Sequence, residues 1–156
     1  MLVSGWQVNG ITTFQSGQPL IVAAQSNNTY IYTSSQRLNN NGQSARITGG
    51  TTDSRLAQWF DTSVFAQPAS YTLGTVGRTL PDVRVPGLKT TDLSIFKNTY
   101  IREGKLNLQY RVEMFNAFNT PQFGRPGPGF GYGSFGVISS TAVSPRQIQM
   151  ALKLVW

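Results

Sequence analysis

Lys105-Leu106-Asn107-Leu108-Gln109-Tyr110-Arg111-Val112-Glu113-Met114-Phe115-Asn116-Ala117-Phe118 is the stretch on which the reading of the fold turns. Leu106, Leu108, Tyr110, Val112, Met114 and Phe118 point one way, while Asn107, Gln109, Arg111 and Glu113 point the other. That is the period of two imposed by an extended backbone. At a rise of ~3.3 Å per residue, a strand over 105–118 spans roughly 45 Å. Strands of globular proteins usually stop at ~17–20 Å, so this length suits a tilted membrane strand with an extension outside the bilayer.

The same period recurs on either side. Trp6, Val8, Thr12 and Phe14 share one face of residues 5–16, with Gln7, Asn9, Thr13 and Gln15 on the other. Leu93, Ile95 and Lys97 alternate with Asp92, Ser94, Phe96 and Asn98 in a strand over 89–100, and Arg102-Glu103-Gly104-Lys105 forms a tight hairpin turn. Ile148, Met150, Leu152, Leu154 and Trp156 alternate with Gln147, Gln149, Ala151, Lys153 and Val155 at the chain end. Leu20–Ala24 is a short apolar run that reads as a further strand.

Two regions break the rhythm. Residues 25–70 and 119–145 are rich in Asn, Gly and Pro, the chemistry of turns, and read as long surface loops. Leu56–Phe60 has room for one helical turn capped by Asp53 or Ser54, and Trp59, Phe60 and Phe65 read as tethers for the first loop. The expectation is an all-β chain, an antiparallel meander of about five or six strands with long polar loops. It is a single β-rich segment over 1–156 with no internal boundary.

Composition narrows the function. Charged residues make up 12% of the chain, about half of the ~25% usual in soluble domains. The net charge is +7, but the basic residues are scattered singly, which argues against nucleic acid as a partner. There is no Cys and no His, so Ser-His-Asp and Cys-His catalysis are excluded and the commonest metal ligands are missing. No catalytic residue, metal site or cofactor is expected. Asp92 and Glu113 could approach each other as a carboxylate pair, but the commoner role for such groups is a lumen-facing ladder of ion pairs with Arg111, Lys97 and Lys153. Gly131-Tyr132-Gly133-Ser134-Phe135-Gly136 matches the dinucleotide pattern by letter, yet it sits in a Pro/Gly loop with no helix after it. Tyr30, Tyr32, Trp59, Phe60 and Phe65 are candidates for stacking on a sugar, with loop anchoring as the competing role.

No apolar run is long enough for a membrane helix, and the start has no basic-then-apolar leader pattern, so either the chain is cytoplasmic or its true N-terminus lies upstream. Alternating strands joined by short turns on one side and long loops on the other are the pattern of an outer-membrane barrel. Tyr30, Tyr32, Tyr100, Tyr110 and Trp156 are available for its interfacial girdles. A soluble β-sandwich or barrel alternates in the same way, so the pattern alone leaves both open.

Several motifs together resemble the C-terminal end of TonB-dependent, Oar-like outer-membrane transporters, which carry a carboxypeptidase regulatory domain. They are Gly5-Trp6-Gln7-Val8-Asn9-Gly10, Gln15-Ser16-Gly17-Gln18-Pro19, Trp59-Phe60-Asp61-Thr62 with Phe65, and Gly74-Thr75-Val76-Gly77-Arg78. Asp92-Leu93-Ser94-Ile95-Phe96-Lys97-Asn98, Arg111–Asn119, Phe123-Gly124 and Ser144–Trp156 follow in the same order. The resemblance implies a segment of a ring of about 22 strands in the bacterial outer membrane, non-catalytic and without a cofactor. It implies that Trp156, with Leu154 and Leu152, is the signal read by the outer-membrane assembly machinery. The expected partners are outer-membrane lipid and the remaining barrel strands or further copies of this chain, because unpaired strand edges invite pairing. The competing expectation is a freestanding soluble oligomeric β-protein that binds a carbohydrate-like ligand or has acquired carboxylate-based hydrolysis.

Overall fold

A computed structural model describes residues 3–30, 35–101 and 106–156. In chain order these residues form β1 (Trp6–Gln15), β2 (Ala23–Ala24), β3 (Asn39–Asn40), α1 (Thr52–Ala57), β4 (Phe65–Ala66), β5 (Leu88–Ile101), β6 (Leu106–Phe115), β7 (Gly129–Phe130) and β8 (Gln147–Val155). They gather into two compact units, one built from 1–15, 88–122 and 143–156 and the other from 16–87 and 123–142. The Arg102–Lys105 turn lies outside the described residues, as does Tyr32.

The first unit is a four-stranded antiparallel sheet in the order β1-β5-β6-β8. Its register carries the alternation of the sequence across all four strands. Val8 faces Ile95, Ile95 faces Val112 and Val112 faces Met150, so one row runs apolar from margin to margin. The parallel row of Trp6, Lys97, Tyr110 and Leu152 lies on the same face. The opposite face carries Asn9, Ser94, Glu113 and Gln149 in one row. A one-residue slip in any pair would exchange the two faces, so the side-chain pattern itself fixes the register.

β6 is shorter than the sequence pattern suggests. It ends at Phe115, because Asn116 and Asn119 adopt positive φ (49° and 51°) and turn the chain away. Asn tolerates this region better than most residues. Asn116 is also held by its own side chain, whose amide donates to the Thr120 carbonyl (3.1 Å) and whose oxygen accepts from the Thr120 N–H (3.0 Å). Phe118 is therefore exposed on a turn and does not extend the strand face. Ten residues at ~3.3 Å give about 33 Å along the strand. Tilted by ~40°, that becomes roughly 25 Å, the height of the apolar band of an outer-membrane barrel. β5 is longer than expected, beginning at Leu88 and reaching Ile101.

The second unit has little regular structure and a packed core. Leu20, Leu38, Phe60, Val64, Phe65, Val76, Leu80 and Val83 are buried together. Phe135 meets Phe60 edge-on at 5.1 Å and Phe65 at 5.9 Å, geometries favoured by the ring quadrupole. Leu20–Ala24 supplies only Ala23–Ala24 as strand, paired in parallel with β7; the Leu20 backbone bonds instead to Val83 and Leu80, and Leu20 and Val22 are buried in the core. The helical turn sits earlier than expected, at Thr52–Ala57, and its cap is Thr51, whose hydroxyl accepts from the Ser54 N–H. Gly17 and Gly74 explain two of the sequence motifs. A Cβ on Gly17 would overlap the Val85 carbonyl, and one on Gly74 would overlap the carbonyls of Arg37 and Leu38.

Candidate functional site

The sheet presents two chemically distinct surfaces. On the apolar face Val8, Met150, Leu152 and Leu154 are exposed although they are large and hydrophobic. Water would make such a continuous surface unfavourable; hydrocarbon would not. Lys97 belongs to this face, opposite to the one that carries Asp92 and Glu113, with its ammonium 5.2 Å from the centroid of the Trp6 ring. Lys89 stands likewise over Phe14 at 5.7 Å. Of the girdle candidates in the sheet, Tyr110 lies on this face, whereas Tyr100 pairs with Asn107 on the other. Leu152 and Leu154 continue the apolar face, and Trp156, 90% exposed, follows the last residue of β8.

The polar face is a connected set of side chains. Arg111 Nη2 pairs with Glu113 Oε1 at 2.8 Å, and Gln149 Nε2 donates to Glu113 Oε2 at 2.5 Å. The Arg111 guanidinium also lies over Phe96 at 4.7 Å, which accounts for a phenyl ring among polar neighbours. Asn98 Oδ1 accepts from Gln109 Nε2 at 2.9 Å. Asp92 faces the same side, but its Oδ1 accepts the Asn116 N–H at 2.9 Å. Glu113 and Asp92 thus hold the sheet and its turn, and of the expected ion-pair ladder the described residues carry the Arg111–Glu113 pair, while Asp92 is bonded to the backbone.

The long connections hold a second surface. Phe60 is fully buried and Phe65 nearly so, with their rings packed against Phe135, so no face of either is open to a ligand and both act as anchors of the loop. Tyr30 is open: it stacks on Tyr71 at 4.6 Å, and the two rings are 74% and 76% exposed. Trp59 is half-buried, donates from Nε1 to the Arg84 carbonyl at 2.7 Å, and has the Arg55 guanidinium 4.6 Å above its ring. It borders a cleft of about 630 Å³ lined by Arg46, Arg55, Arg84 and Asp82. Reasoning from sequence missed these arginines, because residues 46, 55 and 84 carry no spacing signal and meet only through the fold. Nearby, Ser63 donates its hydroxyl (2.6 Å) and its N–H (2.9 Å) to Asp61 Oδ1, and these bonds hold the Asp61 carboxyl below its ordinary range.

A protein-family model described as outer membrane beta barrel domain matches residues 1–149. No curated protein and no solved structure matches the chain.

Proposed function

This chain belongs to the outer membrane beta barrel domain family, which places it in the bacterial outer membrane, and we propose that it is a wall segment of a TonB-dependent, Oar-like transporter with no catalytic role of its own. The observation that carries this reading is the division of one four-stranded sheet into an apolar face and a hydrogen-bonded polar face in continuous register. An apolar face toward lipid and a polar face toward the lumen are what a barrel wall requires. Four strands with margins at β1 and β8 do not close a ring, since transmembrane barrels begin at about eight strands. The two margins would pair with further barrel strands, which satisfies the backbone that lipid leaves unpaired.

Orientation follows from the connections. The links from β1 to β5 and from β6 to β8 are long and leave from the Gln15, Leu88, Phe115 and Gln147 end of the sheet, while β5 and β6 are joined by a few residues at the other. Long loops face outward in such barrels and short turns face the periplasm. The long connections, with residues 25–70 and 119–145, therefore leave the sheet at its outward end, where an incoming ligand is first met. The C-terminal Leu152, Leu154 and Trp156 lie at the periplasmic end, where the assembly machinery would read them.

The test is made on outer membranes carrying the natural gene product. Peptides from this chain should be recovered from a species much larger than 17.1 kDa that unfolds in SDS only on boiling. Removing the energy-coupling protein should leave ligand bound at the cell surface but not taken up. Recovery of the peptides from the aqueous fraction, or uptake indifferent to energy coupling, would overturn the reading.

A further inference from the structure

We propose that the cleft between Arg46, Arg55 and Arg84 in the second unit is a binding site for a small molecule bearing two or more oxyanion groups, carboxylate or phosphate. Each wall is fixed by the fold. The Arg46 backbone bridges to that of Phe60, which is fully buried. The Arg84 backbone bridges to Pro19, and its Nη1 donates to the Gly17 carbonyl at 3.0 Å. Arg55 leaves α1, lies over Trp59 and donates from Nη1 to the Ile47 carbonyl. Trp59 in turn is pinned by its bond to the Arg84 carbonyl.

The charge balance points to the ligand. Among the described residues no carboxylate lies within ion-pair distance of any of the three guanidiniums; the one ion pair is Arg111 with Glu113, in the sheet. Arg84 is held by a neutral carbonyl and Arg55 by a carbonyl and a ring, which orient these two groups without neutralising them. Asp82 is the sole acid lining the cleft, and its Oδ2 accepts the Ser44 hydroxyl. Two positive charges are therefore left in excess within a volume typical of small-molecule sites. Guanidiniums recognise carboxylate and phosphate through paired N–H donors, and holding them in place beforehand removes part of the ordering cost.

The site rests on the proposed orientation only for the side from which a ligand arrives, so binding and access are measured separately. The intact barrel in detergent is titrated calorimetrically with citrate and, separately, with pyrophosphate. At least one should bind, with an affinity that falls as salt rises. Arg46→Gln should weaken it about tenfold, and Asp82→Asn should strengthen it by removing the opposing charge. Preference for citrate assigns carboxylate and preference for pyrophosphate assigns phosphate. Absence of binding at millimolar probe, or affinities unmoved by both substitutions in variants with wild-type circular dichroism, overturns the site. Binding that holds in detergent but cannot be reached by probe added outside intact cells would overturn the orientation and leave the site standing.

Discussion

The sheet and the loop unit are built from one chain but for different solvents. Every buried hydrophobic residue among the described residues lies within 16–87 or 123–142, and none lies in β1, β5, β6 or β8. The loop unit folds as a water-soluble body does, with Phe60, Leu20 and Leu38 sealed at its centre. The sheet instead places its large side chains on the outside, where Val8, Met150 and Leu152 remain open. On the proposed reading its two margins pair with further strands and its apolar face meets hydrocarbon. Polar groups are treated differently too: the sheet gathers them on one face as a bonded ladder, while the loop unit leaves its arginines around a cleft. A core is defined by the medium a surface meets, and one polypeptide can meet two.

If the two units are stabilised independently, damage to one leaves the other intact. Phe60→Ala removes the centre of the aromatic cluster and should destabilise the loop unit by about 3–5 kcal/mol. Limited proteolysis of the intact barrel in membranes should then cut within 16–87, while SDS resistance of the strands persists. Loss of both together would show that the sheet depends on the loop core.

A smaller effect distinguishes the two faces of the sheet. Val112→Arg puts a cation on the apolar face and should cost about 2–4 kcal/mol near the middle of the bilayer. Gln109→Arg, on the polar face of the same strand, should leave stability nearly unchanged. Urea unfolding of the intact barrel in lipid vesicles measures both. Equal costs would mean that the faces do not meet lipid and lumen as assigned.

The smallest effect concerns the loop unit alone. The Ser63 bonds hold Asp61 below its ordinary value near 3.8, so the charged form is favoured in the folded state. A group with a lowered folded pKa contributes stability that is present above its ordinary value and lost as pH falls through the folded one. Resistance of residues 16–87 to pepsin should therefore decline slightly faster below about pH 4 in the natural chain than in Asp61→Asn. Parallel curves for the two would remove Asp61 from the acid response.

Much of the sheet was legible because alternation is local. A period of two in residues 105–115 and 147–155 needs no knowledge of neighbours, since each peptide unit turns its side chain over. The end of β6 was less legible: Phe118 fits the apolar periodicity, but Asn116 leaves the extended region first, held by Thr120. Lys97 was assigned to the correct face by periodicity and then read into an ion-pair ladder on the opposite one, because sequence gives a face but not the aromatic partner across the strand pair.

By itself the sequence determined the two-faced strands and the absence of His and Cys chemistry. The tertiary structure decided which loop aromatics are anchors and which are open, sending Phe60 and Phe65 inward and leaving Tyr30 exposed. It also brought Arg46, Arg55 and Arg84 around one cleft. The reason is the range of the forces involved: backbone pleating acts between adjacent residues and leaves its mark in the letters, whereas burial and charge balance depend on contacts between residues distant in the chain, which no local pattern encodes.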